Sequence, residues 1–121
     1  MKQVKIINAY RTLMNMAGET FPLPVAYKLY KLRKALEPQY DFQTEQERAA
    51  VEEFNGHFDD ETKKIVFESV EVGEKFIKKL EELANMEVEL EFEPVTINMN
   101  DIRMEITPND IEKLDGFIIF E

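Results

Sequence analysis

His57 is the single histidine of this chain, and Asp59 and Asp60 follow close behind it. An imidazole beside a carboxylate can relay protons. A nucleophile is missing, however: there is no cysteine, and the one serine, Ser69, lies in no strand-to-helix elbow motif. Asp59, Asp60 and Glu61 offer oxygen ligands to a divalent cation. The alternating ligands, central glycine and closing glutamate of a calcium loop are all lacking, so a polar turn is the expectation. The sequence therefore assigns no catalytic and no metal-ligating residue. It predicts no cofactor and no small-molecule ligand.

Two charged rows are better defined. Glu87, Glu89, Glu91 and Glu93 alternate with Val88, Leu90 and Phe92. On an extended chain this places carboxylates about 6.5–7 Å apart along one face. Such a face serves as a contact surface for Lys and Arg, as a mimic of a phosphate row, or only as a charged exterior that discourages edge pairing. Lys28, Lys31 and Lys34 fall at i, i+3 and i+6 and share one helix flank, a candidate basic patch. No aromatic interleaving or DNA-reading motif accompanies them, so direct nucleic-acid binding is not expected. Pairing with the acidic half of the chain, or with a second copy, is the simpler role.

Several elements must carry these rows. Ile6, Ala9, Tyr10, Leu13 and Ala17 predict a first helix over about residues 5–17, stopped at Gly18. Glu19-Thr20-Phe21-Pro22-Leu23-Pro24 reads as a stiff, extended connector, with Pro24 in the first turn of the next helix. Val25, Leu29, Leu32 and Leu36 form an apolar stripe that Tyr40, Ala50, Val51 and Phe54 extend. Pro38 predicts a kink in one long helix ending at Asn55-Gly56. Two long helices with a short link should pack antiparallel. Beyond the turn at Asp59-Asp60-Glu61, residues 64–68 read as a strand. A helix over about 70–84 follows, with Ser69 as its N-cap.

Between Met86 and Ile106 an almost unbroken alternation predicts antiparallel sheet, interrupted by a bulge or corner at Pro94. Thr107-Pro108-Asn109-Asp110 opens a short helix that Gly116 stops. Phe117-Ile118-Ile119-Phe120, apolar on both faces, should be a strand within the sheet or core. The expected class is α+β: an antiparallel helical pair, then a small, mainly antiparallel sheet with covering helices. One domain spans 1–121, with a helical half over about 1–56 and a sheet-containing half over about 57–121.

Composition narrows the class further. The chain has 121 residues, of which 44% are hydrophobic and 33% charged, a globular balance. No apolar run reaches the roughly 20 residues that cross a bilayer, and the first residues lack the apolar core of a secretory leader. With no cysteine, a cytoplasmic setting is expected. The net charge of −10 is uneven. Residues 1–58 hold 8 Lys/Arg against 7 Asp/Glu, while residues 59–121 hold 7 against 18. The acidic half disfavours phosphate and anionic membrane and suits a basic protein partner.

Some segments carry a family resemblance. They are Asn8-Ala9-Tyr10, Leu23-Pro24-Val25-Ala26-Tyr27-Lys28, Leu36-Glu37, Met86-Glu87-Val88-Glu89-Leu90 with Pro94, and Ile106-Thr107-Pro108 followed by Leu114 and Phe117-Ile118. Together they resemble a loosely defined family of small acidic proteins of unknown function from phages and prophages of Firmicutes. The resemblance implies a viral or mobile-element origin and assigns no activity. The leading expectation is a non-enzymatic phage or prophage accessory protein working through protein–protein contacts or self-association, with particle assembly as one setting. The alternatives are an acidic inhibitor that acts as a polyanion decoy for a host nucleic-acid-binding protein, and a small enzyme of unrecognised class.

Overall fold

Helix α1 (Gln3–Asn15) lays Ile6, Ala9, Tyr10 and Leu13 along one buried face of α2 (Leu23–Glu53). The computed structural model describes all residues 1–121. The pair is antiparallel: Gln3 reaches Gln39 and Gln43, Tyr10 stacks on Tyr40 with ring centroids 4.5 Å apart, and Met14 lies beside Arg33. Met16 rather than Ala17 closes the buried stripe of α1, while Met14 faces solvent, so the two methionines divide between faces.

α2 runs unbroken through Pro38 as one helix. Pro38 is exposed, so water can serve the Lys34 carbonyl that a proline leaves without a donor. The helix closes with paired bonds from Asn55 N–H to Glu52 O (3.1 Å) and from Gly56 N–H to Val51 O (2.8 Å). Asn55 takes the left-handed conformation at φ 53°, the residue type next best suited to it after glycine.

Gln3 is a polar residue with no exposed surface, and its position was not evident from the apolar spacing. Its Nε2 donates to Gln39 O at 3.1 Å and to Gln43 Oε1 at 3.3 Å, which pins the register between the two helices.

The second half departs from the expected sheet. A hairpin of β1 (His57–Asp59) and β2 (Lys64–Val66) is antiparallel and stands alone. Helix α3 (Val70–Ala84) starts where Ser69 predicts, with Ser69 Oγ accepting from Val72 N–H at 3.3 Å. Phe67, just after β2, meets Phe76 of α3 at 4.7 Å between centroids. The second sheet joins β3 (Val95–Ile97) to β4 (Ile118–Phe120), and this pair is parallel. Parallel neighbours need a crossover, and residues 98–117 provide it with the short helix α4 (Pro108–Lys113). Its capping box is complete: Thr107 Oγ1 accepts from Asp110 N–H, and Asp110 Oδ2 accepts from Thr107 N–H.

The antiparallel ribbon expected over Met86–Ile106 is not formed. Residue 87 makes one isolated bridge to Lys2, and Val88 N–H donates to Met1 O at 2.8 Å. From Glu89 to Pro94 no main-chain group finds a main-chain partner. The stretch stays extended because Val88, Leu90 and Phe92 pack inward on the core while the glutamates face water. Side-chain burial sets this alternation, and no ladder is required for it.

The architecture is α+β with a long second helix. Its core draws on α1, α2, β3, β4 and the α4 end: Ile6, Leu36, Ile97, Leu114 and Phe117 have essentially no exposed surface. Phe117 stacks on Phe92 with centroids 4.9 Å apart.

Tyr10 gives this core a pH dependence. Burial raises the pKa of its hydroxyl above the ordinary tyrosine value, and the nearby negative charge of Glu37 adds to the rise. The folded state then holds the proton more tightly than the unfolded state. Its contribution is fully present below the unfolded tyrosine pKa near 10 and is lost as pH rises through the folded value. Urea midpoints compared between pH 8 and pH 11 should fall less for Tyr10→Phe than for the wild type. An equal fall in both would exclude Tyr10 as a contributor.

Candidate functional site

The two charged rows meet. Lys28, Lys31 and Ala35 line one wall of an open groove of about 330 Å³, and Phe92, Glu93 and Val95 line the other. The elements responsible are the N-terminal half of α2 and the extended segment that enters β3. Val25, Leu29, Leu32 and Leu36 turn one side of α2 toward the core, which swings Lys28 and Lys31 to the groove margin. The inward pull on Leu90 and Phe92 likewise leaves Glu89, Glu91 and Glu93 outside.

The members of each row differ in what they already hold. Lys34 is ion-paired to Glu37 at 3.1 Å, and this hydrogen bond raises the lysine pKa. Glu87 is taken by the amino terminus of Met1 at 3.0 Å. Lys28, Lys31, Glu89, Glu91 and Glu93 make no ion pair within the chain. The predicted basic patch thus reduces to two uncommitted lysines, and the predicted acidic face to three uncommitted glutamates.

A second face of α2 escaped the sequence reading. Leu23 is 81% exposed, Tyr27 60% and Tyr30 49%. They follow i, i+4, i+7 spacing, the same signal that identified the buried stripe, on the opposite side of the helix. The signal was present, but the stronger Val25–Leu36 stripe satisfied the expectation of a single apolar face. Cations border this stripe, so, contrary to the expectation of no aromatic interleaving, the basic row does alternate with aromatics: Lys31 Nζ lies 5.6 Å from the Tyr27 ring, and Arg33 and Lys34 lie 6.0 and 5.9 Å from the Tyr30 ring.

The total surface gives these features a scale. A compact monomer of 14.3 kDa exposes about 6,800 Å². This chain exposes 8527 Å², an excess of about 1,700 Å². A long helix with only four of its residues buried is one source of that excess.

The other candidates fall to local structure. His57 is exposed in β1 opposite Val66. Asp59 is occupied in the hairpin turn, where its carboxylate accepts from Glu61 N–H and from Thr62 Oγ1, both at 3.0 Å. No three His, Asp or Glu side chains converge as metal ligands would. No helix is long and apolar enough to cross a membrane. The arrangement is suited to contact with a macromolecule: an aromatic and cationic helix face, a groove, and an acidic extended edge. Comparison of the chain with protein-family models, with curated proteins and with solved structures finds no match.

Proposed function

We propose that this chain is a non-enzymatic accessory protein of a phage or prophage that acts through protein–protein contacts, with particle assembly as its setting. The viral setting comes from the family resemblance of its sequence segments. The contact role is supported above all by the exposed Leu23–Tyr27–Tyr30 stripe with its bordering cations. Tyrosine and arginine are enriched at the energetic centres of interfaces, and large apolar side chains aligned on one exposed face favour a cover. The excess surface of about 1,700 Å² is about twice the roughly 800 Å² that one partner contributes to a standard interface.

The test is light scattering after size exclusion, run on the pure protein and on the protein incubated with extract of phage-producing cells. The expected result is a species heavier than the 14.3 kDa chain in at least one of the two. Leu23→Asp/Tyr27→Asp should diminish that species while leaving the circular dichroism unchanged. A strict monomer under both conditions overturns the reading.

The polyanion-decoy reading keeps one specific support, the three uncommitted glutamates spaced along an extended edge. It expects affinity for a basic nucleic-acid-binding protein that rising salt weakens, and that Glu89→Lys/Glu91→Lys weakens while flattening this salt dependence.

A further inference from the structure

We infer that the protein pairs with a second copy of itself about a two-fold axis, the Lys28–Lys31 wall of each groove meeting the Glu89–Glu91–Glu93 edge of the other copy. The inference rests on the protein-contact reading above and names its partner. Its basis is the order of charges across one surface. Glu93, at the end of the glutamate edge, lines one wall of the groove, Lys28 and Lys31 line the other, and the Leu23–Tyr27–Tyr30 stripe lies exposed on the same helix as the lysines.

Two alternative symmetric pairings of these same patches are repulsive. Laying α2 on α2 through the aromatic stripe would bring the basic N-terminal halves of both helices together, with Lys28, Lys31, Arg33 and Lys34 of each copy side by side. Pairing the 89–93 edge with itself in antiparallel fashion would set glutamate opposite glutamate at each wet position, which is destabilising in a strand pair. Of these three arrangements, the crossed one joins unlike charges. Because Lys28 and Lys31 border the same groove as Glu93, where the glutamate edge ends, one two-fold rotation makes that contact twice, as an isologous interface requires.

The chemistry of the two surfaces also fits. Residues 89–94 leave their main-chain donors and acceptors without main-chain partners. The exposed Tyr27 and Tyr30 hydroxyls and the lysine ammonium groups of the opposing copy are donors suited to those carbonyls and carboxylates. A standard interface buries about 800 Å² on each partner, and the excess surface of about 1,700 Å² accommodates this.

Light scattering of the pure protein at low salt should give twice the 14.3 kDa chain mass, with the dimer weakening as salt rises. Lys28→Glu/Lys31→Glu and Glu89→Lys/Glu91→Lys should each run as monomers. Their dissociation constants should rise on the order of 100-fold, with unchanged circular dichroism. An equimolar mixture of the two variants should dimerise again, because the reversed wall of one meets the reversed edge of the other. Neither misfolding nor loss of a third-party partner produces that recovery. Monomeric wild type, dimeric single-patch variants, or a mixture that stays monomeric each overturns the inference. A wild type that is monomeric when pure but enters a complex in cell extract overturns self-pairing and leaves the broader contact reading in place.

Discussion

Phe117→Ala is expected to cost about 3–5 kcal/mol of folding stability. The ring has no exposed surface and stacks on Phe92, so truncation removes buried area and leaves a cavity that its neighbours can only partly fill. The position also anchors the parallel pair: Phe117 O accepts from Val95 N–H at 2.9 Å, at the point where β3 and β4 begin. A loosened Phe117 therefore releases both the core and the crossover that returns the chain to β3. Against a total stability of about 5–15 kcal/mol for a domain, the loss leaves a marginal fold. Urea denaturation followed by circular dichroism measures it. A change under 1 kcal/mol would mean that the site collapses freely and that Phe117 is no keystone.

Gly56→Ala should cost about 1–3 kcal/mol, for a different reason. Gly56 does not have a positive φ, so backbone conformation does not demand glycine there. A Cβ at this position would lie 2.6 Å from Cε1 of Phe67 and 3.0 Å from Cγ2 of Ile65. Phe67 is not free to swing away, because its ring is held against Phe76 of α3. Alanine would force the ring off that contact and detach the hairpin from the helix. Hydrogen exchange should quicken in β1, β2 and the first turns of α3 while the amides of α1 and β3 keep their protection. Uniform acceleration across the chain would contradict a local clash.

The comparison of these two residues illustrates what could be read in advance. Asn55-Gly56 signals a helix end, and a helix does end there. The need for glycine at 56 comes from a ring eleven residues away that local pattern cannot place. Helices α3 and α4 were legible almost to the residue, since Ser69 and the Thr107–Asp110 pair act within one helical turn of themselves. The candidate patches were legible as rows. Which members were already taken was not, because Lys34 is occupied by its own helix neighbour and Glu87 by an amino terminus from the far end of the chain.

The sequence by itself determined the α+β class, the long second helix, the Ser69 and Thr107 N-caps and the outward direction of glutamates 87 to 93. All of these follow from local spacing and from the preference of apolar side chains for the interior. The first helix, by contrast, ends at Asn15 rather than at Gly18. Only the tertiary structure decided that residues 89–94 have no strand beside them, that β3 takes β4 as a parallel neighbour, and that Lys28 and Lys31 look across a groove at Glu93. Period-two alternation reports which side of a chain is dry, and it carries no information about what lies along its edge. Edge partners are chosen by segments remote in sequence, through crossover geometry and core packing that only the assembled fold defines.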